Sequence, residues 1–144
     1  MRDSQGAADT MKRLFLLRHG KAVPADGDTG DFDRTLMLSG MQEGALMAGY
    51  IGRRGYGIDL ILCSASARTT QTAELVLQQI PARIVYRDNL YMAGTARLIA
   101  AVRGAPADVA SLMIVGHNRG MEDCAAILAQ GPVRRAEQTR HEAG

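Results

Sequence analysis

Short apolar runs alternate along the chain with longer segments in which apolar residues recur every three or four positions. Runs of strand length occupy residues 14–17, 58–63, 83–86 and 112–115. Helical spacing follows them, from Ser39 to Gly55, after Ser66, over residues 95–102 and from Asn118 onward. Strands that alternate with helices in this way predict an α/β fold, with a mostly parallel sheet between two layers of helices (α/β/α).

This pattern predicts one folded domain flanked by a polar segment at each end. Residues 1–10 are polar and aperiodic, so we expect a disordered leader, and residues 131–144 are mostly charged and polar, as in a tail. The folded domain should therefore span residues 11–130. Within it, Ser39 followed by Gln42 resembles a capping box and predicts the start of the first helix.

Composition narrows the class of protein. The 144 residues are 47% hydrophobic and 22% charged, which is typical of a soluble globular domain. A net charge of +2 is too small to favour nucleic acid or a membrane surface as partner. With no long apolar run and no signal peptide, we expect a cytoplasmic protein in which Cys63 and Cys124 are buried free thiols.

Cationic and imidazole side chains follow three of the four predicted strands. Arg18 and His19 end the first strand, Arg68 lies just after the second, and His117 follows the fourth. Ligands of parallel sheets bind beyond the carboxyl ends of the strands, so we expect these residues to share one site. His141, the third histidine, and Arg34, Arg53 and Arg54 are predicted to be solvated.

This combination of residue types suits phosphoryl transfer. A neutral imidazole can attack phosphorus, and arginines can balance the charge on the transferring oxygens. Neighbouring Arg18 and Arg68 would also lower the pKa of His19 and keep it unprotonated. By contrast, the Asp-rich residues 26–33 lack the glutamate that a calcium loop requires, and Cys63 lies one position too near Arg68 for a cysteine-phosphatase loop.

Three motifs carry a resemblance to a known family. Leu16-Leu17-Arg18-His19-Gly20-Lys21 resembles the opening motif of the histidine phosphatase superfamily. The segment from Ser64 through Arg68 to Thr72 is similar to its second motif, and Gly116-His117-Asn118 is similar to its third. The motifs look most like those of SixA-type phosphohistidine phosphatases, and the likeness spans about residues 11–130.

The resemblance implies a phosphoglycerate mutase-like fold and a set of roles. His19 would be the phosphorylated nucleophile, Arg18 and Arg68 phosphate clamps, and His117 a further phosphoryl contact. Asp88 is the candidate proton donor, and the family implies no cofactor or metal ion. Two departures are Arg119, where relatives often carry proline, and the tail, where the family's usual C-terminal strand is missing.

Three functions follow from these residues. We expect a phosphatase acting on protein phosphohistidine, because the short chain leaves little room for a substrate-enclosing insertion. The same site could instead hydrolyse small phosphomonoesters, so the partner is a phosphorylated protein or a small phosphorylated metabolite. A phosphate-binding regulatory module without turnover is the third possibility, while a phosphoglycerate mutase is disfavoured by chain length.

Overall fold

The computed structural model describes residues 13–128, in which strands and helices alternate. The strands are β1 (Arg13–Arg18), β2 (Leu60–Ser64), β3 (Arg83–Arg87) and β4 (Ser111–Gly116). The α-helices are α1 (Leu38–Arg53), α2 (Ala67–Leu77), α3 (Thr95–Arg103) and α4 (Asn118–Leu128), and short 3-10 helices occupy Asp31–Asp33 and Asp88–Leu90.

The described strands form one parallel sheet in the order β1-β4-β2-β3. In the central strand β4, Gly116 pairs with Arg18 of β1, and Val115 pairs with Cys63 of β2. This register brings the carboxyl ends of three strands to the same edge of the sheet. The predicted parallel sheet is confirmed.

Helices cover both faces of the sheet because successive strand side chains point to opposite sides. Leu60 and Leu62 of β2 face α3 and α4, whereas Ile61 and Cys63 face α1 and α2. Every residue of β2 and β4 is buried, as expected of parallel strands between two helical layers. The three-layer α/β/α prediction is therefore confirmed.

The start of α1 differs from the prediction. The helix begins at Leu38 after an N-cap Met37 that makes no side-chain cap hydrogen bond, so the predicted capping box at Ser39 is wrong. Instead the backbone N–H of Met37 donates to the carbonyl of Lys21 at 2.8 Å. The loop after β1 thus fixes the start of this helix.

The predicted leader, the polar tail and the missing C-terminal strand lie outside the described residues. Cys63 and Cys124 are buried and free, as predicted.

Within residues 13–128, no helix combines the length and the apolar character needed to cross a membrane.

Candidate active site

Three strand ends bring two histidines and one arginine together. His19 follows β1, His117 follows β4, and Arg68 lies in the first turn of α2. The two imidazole centroids are 5.4 Å apart. The Nε of Arg68 donates to Nε2 of His19 at 3.1 Å, and its Nη2 lies 3.4 Å from Nδ1 of His117. Residues far apart in the sequence thus form one cluster, at the edge where they were expected.

The hydrogen bonds of His19 define its tautomer. Its Nδ1 lies 2.6 Å from the carbonyl oxygen of Gly20, which can only accept, so Nδ1 carries the proton. The Nε2 atom accepts from Arg68 and therefore carries the in-plane lone pair. This is the form of imidazole that can attack phosphorus through Nε2.

Local electrostatics keep both imidazoles neutral near pH 7. Burial lowers the pKa of His19, the Gly20 carbonyl opposes this shift, and the charges of Arg68 and Arg18 lower the pKa further. Burial also lowers the pKa of His117 to about 4, with smaller contributions from Arg68 and His19. The site therefore has an unprotonated nucleophile beside fixed positive charge.

A buried serine orients His117. The Nδ1 atom of His117 faces the guanidinium of Arg68, which can only donate, so the ring proton of His117 resides on Nε2. The Nε2–H points at the hydroxyl of Ser64, 2.9 Å away at the end of β2. Ser64 is fully buried, so this contact fixes the plane of the ring.

Arg18 lies at the exposed rim of the cluster. Together with His19 and Lys21 it lines an open depression of about 360 Å³ beside the start of α4. It acts on His19 through charge, since among the described residues no hydrogen bond joins the Arg18 side chain to the cluster. A phosphoryl group in the depression would meet this guanidinium together with the nucleophile.

Asp31 is the site residue that sequence reasoning missed. Its carbonyl oxygen accepts from Nη1 of Arg68 at 2.6 Å, and its carboxylate accepts from Nη2 at 3.1 Å. The Tyr91 hydroxyl donates to the same carboxylate oxygen, and Arg34 donates to the other at 2.8 Å. These donors, Tyr91 first, hold the pKa of Asp31 well below its usual range.

The predicted solvation of Arg34 is wrong. Its side chain is 27% exposed, and its Nε donates to the carbonyl of Val23 at 2.6 Å. Arg34 therefore ties Val23 to Asp31 within the loop after β1.

An aromatic pair and a methionine flank the cluster. The ring of Tyr91 lies edge-on to His117, with centroids 5.3 Å apart, and to Phe32, at 4.9 Å. Met92 adopts a left-handed backbone with φ of 50°, and its sulfur lies 3.9 Å from Nη2 of Arg68. The segment after β3 thus forms one wall of the site.

Asp88 is not joined to this cluster. It begins the 3-10 helix after β3 and is exposed, and its carboxylate makes no hydrogen bond or ion pair with a described residue. Its role as proton donor stays a prediction. The carboxylate that is hydrogen-bonded to Arg68 of the cluster belongs to Asp31 instead.

The sequence held one signal for Asp31. Loops that follow parallel strands line the site edge, so an acidic residue in residues 22–35 was a candidate partner for Arg68. The pattern did not show which aspartate of that loop reaches the arginine.

Among residues 13–128, no three His, Cys, Asp or Glu side chains lie close enough together to hold a metal ion.

Comparison with known proteins gives a family match. Residues 14–91 match the model of the histidine phosphatase superfamily (branch 1), a segment that includes His19, Asp31 and Arg68. An uncharacterized protein of Mycobacterium tuberculosis is 32% identical over 113 residues, which cover 78% of this chain and 70% of that protein.

Solved structures give the same result. A protein assigned as the phosphohistidine phosphatase SixA of Agrobacterium tumefaciens is 38% identical, with TM-score 0.76 over 83% of this chain and 76% of that one. The protein histidine phosphatase SixA complexed with tungstate is 27% identical, with TM-score 0.65 over 80% and 75%. A phosphoglycerate mutase of Plasmodium falciparum, 17% identical over 87% and 73% with TM-score 0.60, shares the fold alone.

Proposed function

The chain belongs to the histidine phosphatase superfamily, and from this premise we propose that it hydrolyses protein phosphohistidine through a phosphorylated His19. The observation that carries the proposal is the orientation of His19. Its Nδ1 is held by the Gly20 carbonyl, and its Nε2 lone pair faces Arg68 beside His117. Phosphatase activity is the activity that the family and the SixA-like structures support.

The reaction has two displacement steps. The Nε2 lone pair of His19 attacks phosphorus while the bond from phosphorus to the substrate nitrogen breaks, and the departing imidazole nitrogen takes a proton from solvent. Water then attacks phosphorus, the electron pair of the Nε2–P bond returns to Nε2, and inorganic phosphate leaves while the proton lost by the water passes to solvent. Arg68 and Arg18 stabilise the charge on the equatorial oxygens in both steps, and His117 joins them when its Nδ1 takes up a proton.

The open rim supports a protein substrate. Met92 is 61% exposed, and Arg18 and Asn118 are exposed at the other side of the cluster. A site with an exposed rim can receive a histidine presented on a folded surface. The SixA proteins that the chain resembles carry the same substrate class in their names.

A rapid-quench experiment tests the nucleophile. With a labelled phosphohistidine protein as donor, wild type should acquire acid-labile, base-stable label and then release inorganic phosphate. His19→Ala should acquire none, because no Nε2 is left to bond phosphorus. His141→Ala is the matched control and should label as wild type does.

Two outcomes would contradict the proposal. Label that persists in His19→Ala would assign the nucleophile to another residue. A folded wild type that binds inorganic phosphate without labelling or turnover would be a phosphate-binding module.

The substrate class needs a separate comparison. Turnover of a phosphohistidine protein should exceed turnover of a panel of sugar phosphates, measured as kcat/KM at the same pH. A preference for the sugar phosphates would leave the nucleophile intact and replace the protein substrate by a small phosphomonoester.

A further inference from the structure

The guanidinium of Arg68 has two hydrogen-bonding edges, and the structure uses them differently. The side-on edge, made of Nε and Nη2, faces Nε2 of His19 at 3.1 Å and Nδ1 of His117 at 3.4 Å. The end-on edge, made of Nη1 and Nη2, faces Asp31, at 2.6 and 3.1 Å. One edge is thus directed into the cluster, and the other is held by Asp31.

We propose that Asp31 is the positioning residue of the site, and that it aims the side-on edge of Arg68 at the phosphoryl group between His19 and His117. Resting on the proposed function, this inference adds a residue that acts through Arg68. A phosphate oxygen that arrives beside His19 replaces Nε2 as acceptor of the Arg68 Nε–H, while Asp31 keeps the other edge.

The contacts around Asp31 suit a fixed anchor. Its two carboxylate oxygens are held separately, one by Arg34 and the other by Tyr91 and Arg68. Arg34 is itself held by the Val23 carbonyl. Charge-assisted hydrogen bonds of this kind are about twice as strong as neutral ones, so the guanidinium has one favoured orientation.

Burial makes this anchor necessary. Arg68 is 3% exposed, so water cannot replace Asp31 as the acceptor for the Nη1–H and Nη2–H groups of Arg68. Without the Asp31 carboxylate, the Asp31 backbone carbonyl would still accept from Nη1, but Nη2 would turn toward other acceptors or toward solvent. A displacement of about 1 Å in such a group can cost about 100-fold in rate.

Two substitutions separate positioning from proton donation. Asp31→Ala removes the side-chain acceptor, and kcat/KM should fall about 10- to 100-fold. Asp31→Asn keeps an oxygen for Arg68 and should retain most of the activity, within about fivefold of wild type. Asp33→Ala, in the same 3-10 helix with no side-chain partner among the described residues, is the matched control and should match wild type.

The leaving group supplies a second distinction. A positioning residue lowers turnover by the same factor for a nitrophenyl phosphate and for an alkyl phosphate. A proton donor matters most for the alkyl phosphate, whose leaving group needs the proton. An Asp31→Asn variant that is as inactive as Asp31→Ala, with the larger loss on the alkyl phosphate, would overturn the proposal.

Tyr91 tests the network from its other side. Tyr91→Phe keeps the ring beside His117 and removes the hydroxyl that holds Asp31. It should lower kcat/KM less than Asp31→Ala does, and it should add nothing in an Asp31→Ala background. Additive losses in the double variant would contradict a shared action through Arg68.

A measurement without turnover separates this proposal from the proposed function. The pKa of His19, followed by imidazole NMR, is lowered mainly by burial and further by Arg68, so it should rise in Asp31→Ala because the Arg68 charge moves away. Affinity for inorganic phosphate should fall in the same variant. An unchanged His19 pKa and unchanged phosphate affinity would overturn the positioning role even if wild type proved inactive.

Discussion

At the scale of single residues, the site depends on keeping two buried imidazoles neutral. His117 is 4% exposed, and its pKa is lowered to about 4, mainly because burial disfavours the charged ring. His19 shifts in the same direction. Such shifts prepare a nucleophile, and they also link the stability of the fold to pH.

We expect the fold to lose stability as pH falls from about 6.5 toward 4. In this window His117 is protonated in the unfolded chain but stays neutral in the folded chain. Lowering the pH therefore favours unfolding. The loss attributable to His117 is on the order of 3 kcal/mol, and His19 adds to it. Urea unfolding at a series of pH values measures the free energy directly.

The control is His141, which the sequence predicts to be solvated. His117→Asn should flatten this dependence on pH, whereas His141→Asn should leave it unchanged. Equal slopes in all three proteins would mean that the cluster does not titrate as its burial implies.

At the scale of elements, the turn after β1 and the start of α1 touch through two glycines. A Cβ on Gly40 would lie 2.2 Å from the Lys21 carbonyl oxygen, and one on Gly20 would lie 2.5 Å from the Gly40 carbonyl oxygen. The turn that carries His19 therefore rests directly on the helix backbone. No larger residue fits this contact without moving one of the two elements.

Gly40→Ala should lower the free energy of unfolding by about 1 to 3 kcal/mol, because the added methyl group overpacks against backbone atoms. It should also lower kcat/KM, since the displaced turn carries His19. The measurements are urea unfolding and steady-state kinetics on the same preparations.

Gly57→Ala is the matched variant, because a Cβ there has open space within 4 Å. It should match wild type in turnover and nearly match it in stability. If the two variants behave alike, the close contact between turn and helix is not what places His19.

At the scale of the whole molecule, β4 joins the two cores. Its side chains alternate between the faces of the sheet, so Leu112 and Ile114 lie in one core and Met113 and Val115 in the other. All four are fully buried. The two helical layers thus share one central strand, and damage on either face should destabilise the same unit.

Leu112→Ala and Met113→Ala should each lower the free energy of unfolding by about 2 to 5 kcal/mol through the cavity they leave. Both should shift one cooperative transition in urea, followed by circular dichroism and by hydrogen exchange. Leu46→Ala, at a position 73% exposed, should change stability by no more than about 0.5 kcal/mol. Two separate transitions would show that the layers unfold independently.

The local pattern of the sequence determined the architecture. Apolar runs and helical spacing depend on neighbouring residues alone, so the strands and helices were predictable to within a few residues. Parallel pairing then placed His19, Arg68 and His117 at one edge, because each follows a strand. The motifs around these residues also indicated the family that the comparisons show.

Only the tertiary structure decided which side chains meet across the site. Asp31 lies 37 positions from Arg68 and 60 from Tyr91, and the bonds among them exist because the loop after β1 folds back over the sheet edge. The same fold gave Arg34 a partner and left Asp88 exposed and outside the cluster. Side-chain hydrogen bonds across loops depend on distance in space, and no local period in the sequence encodes that distance.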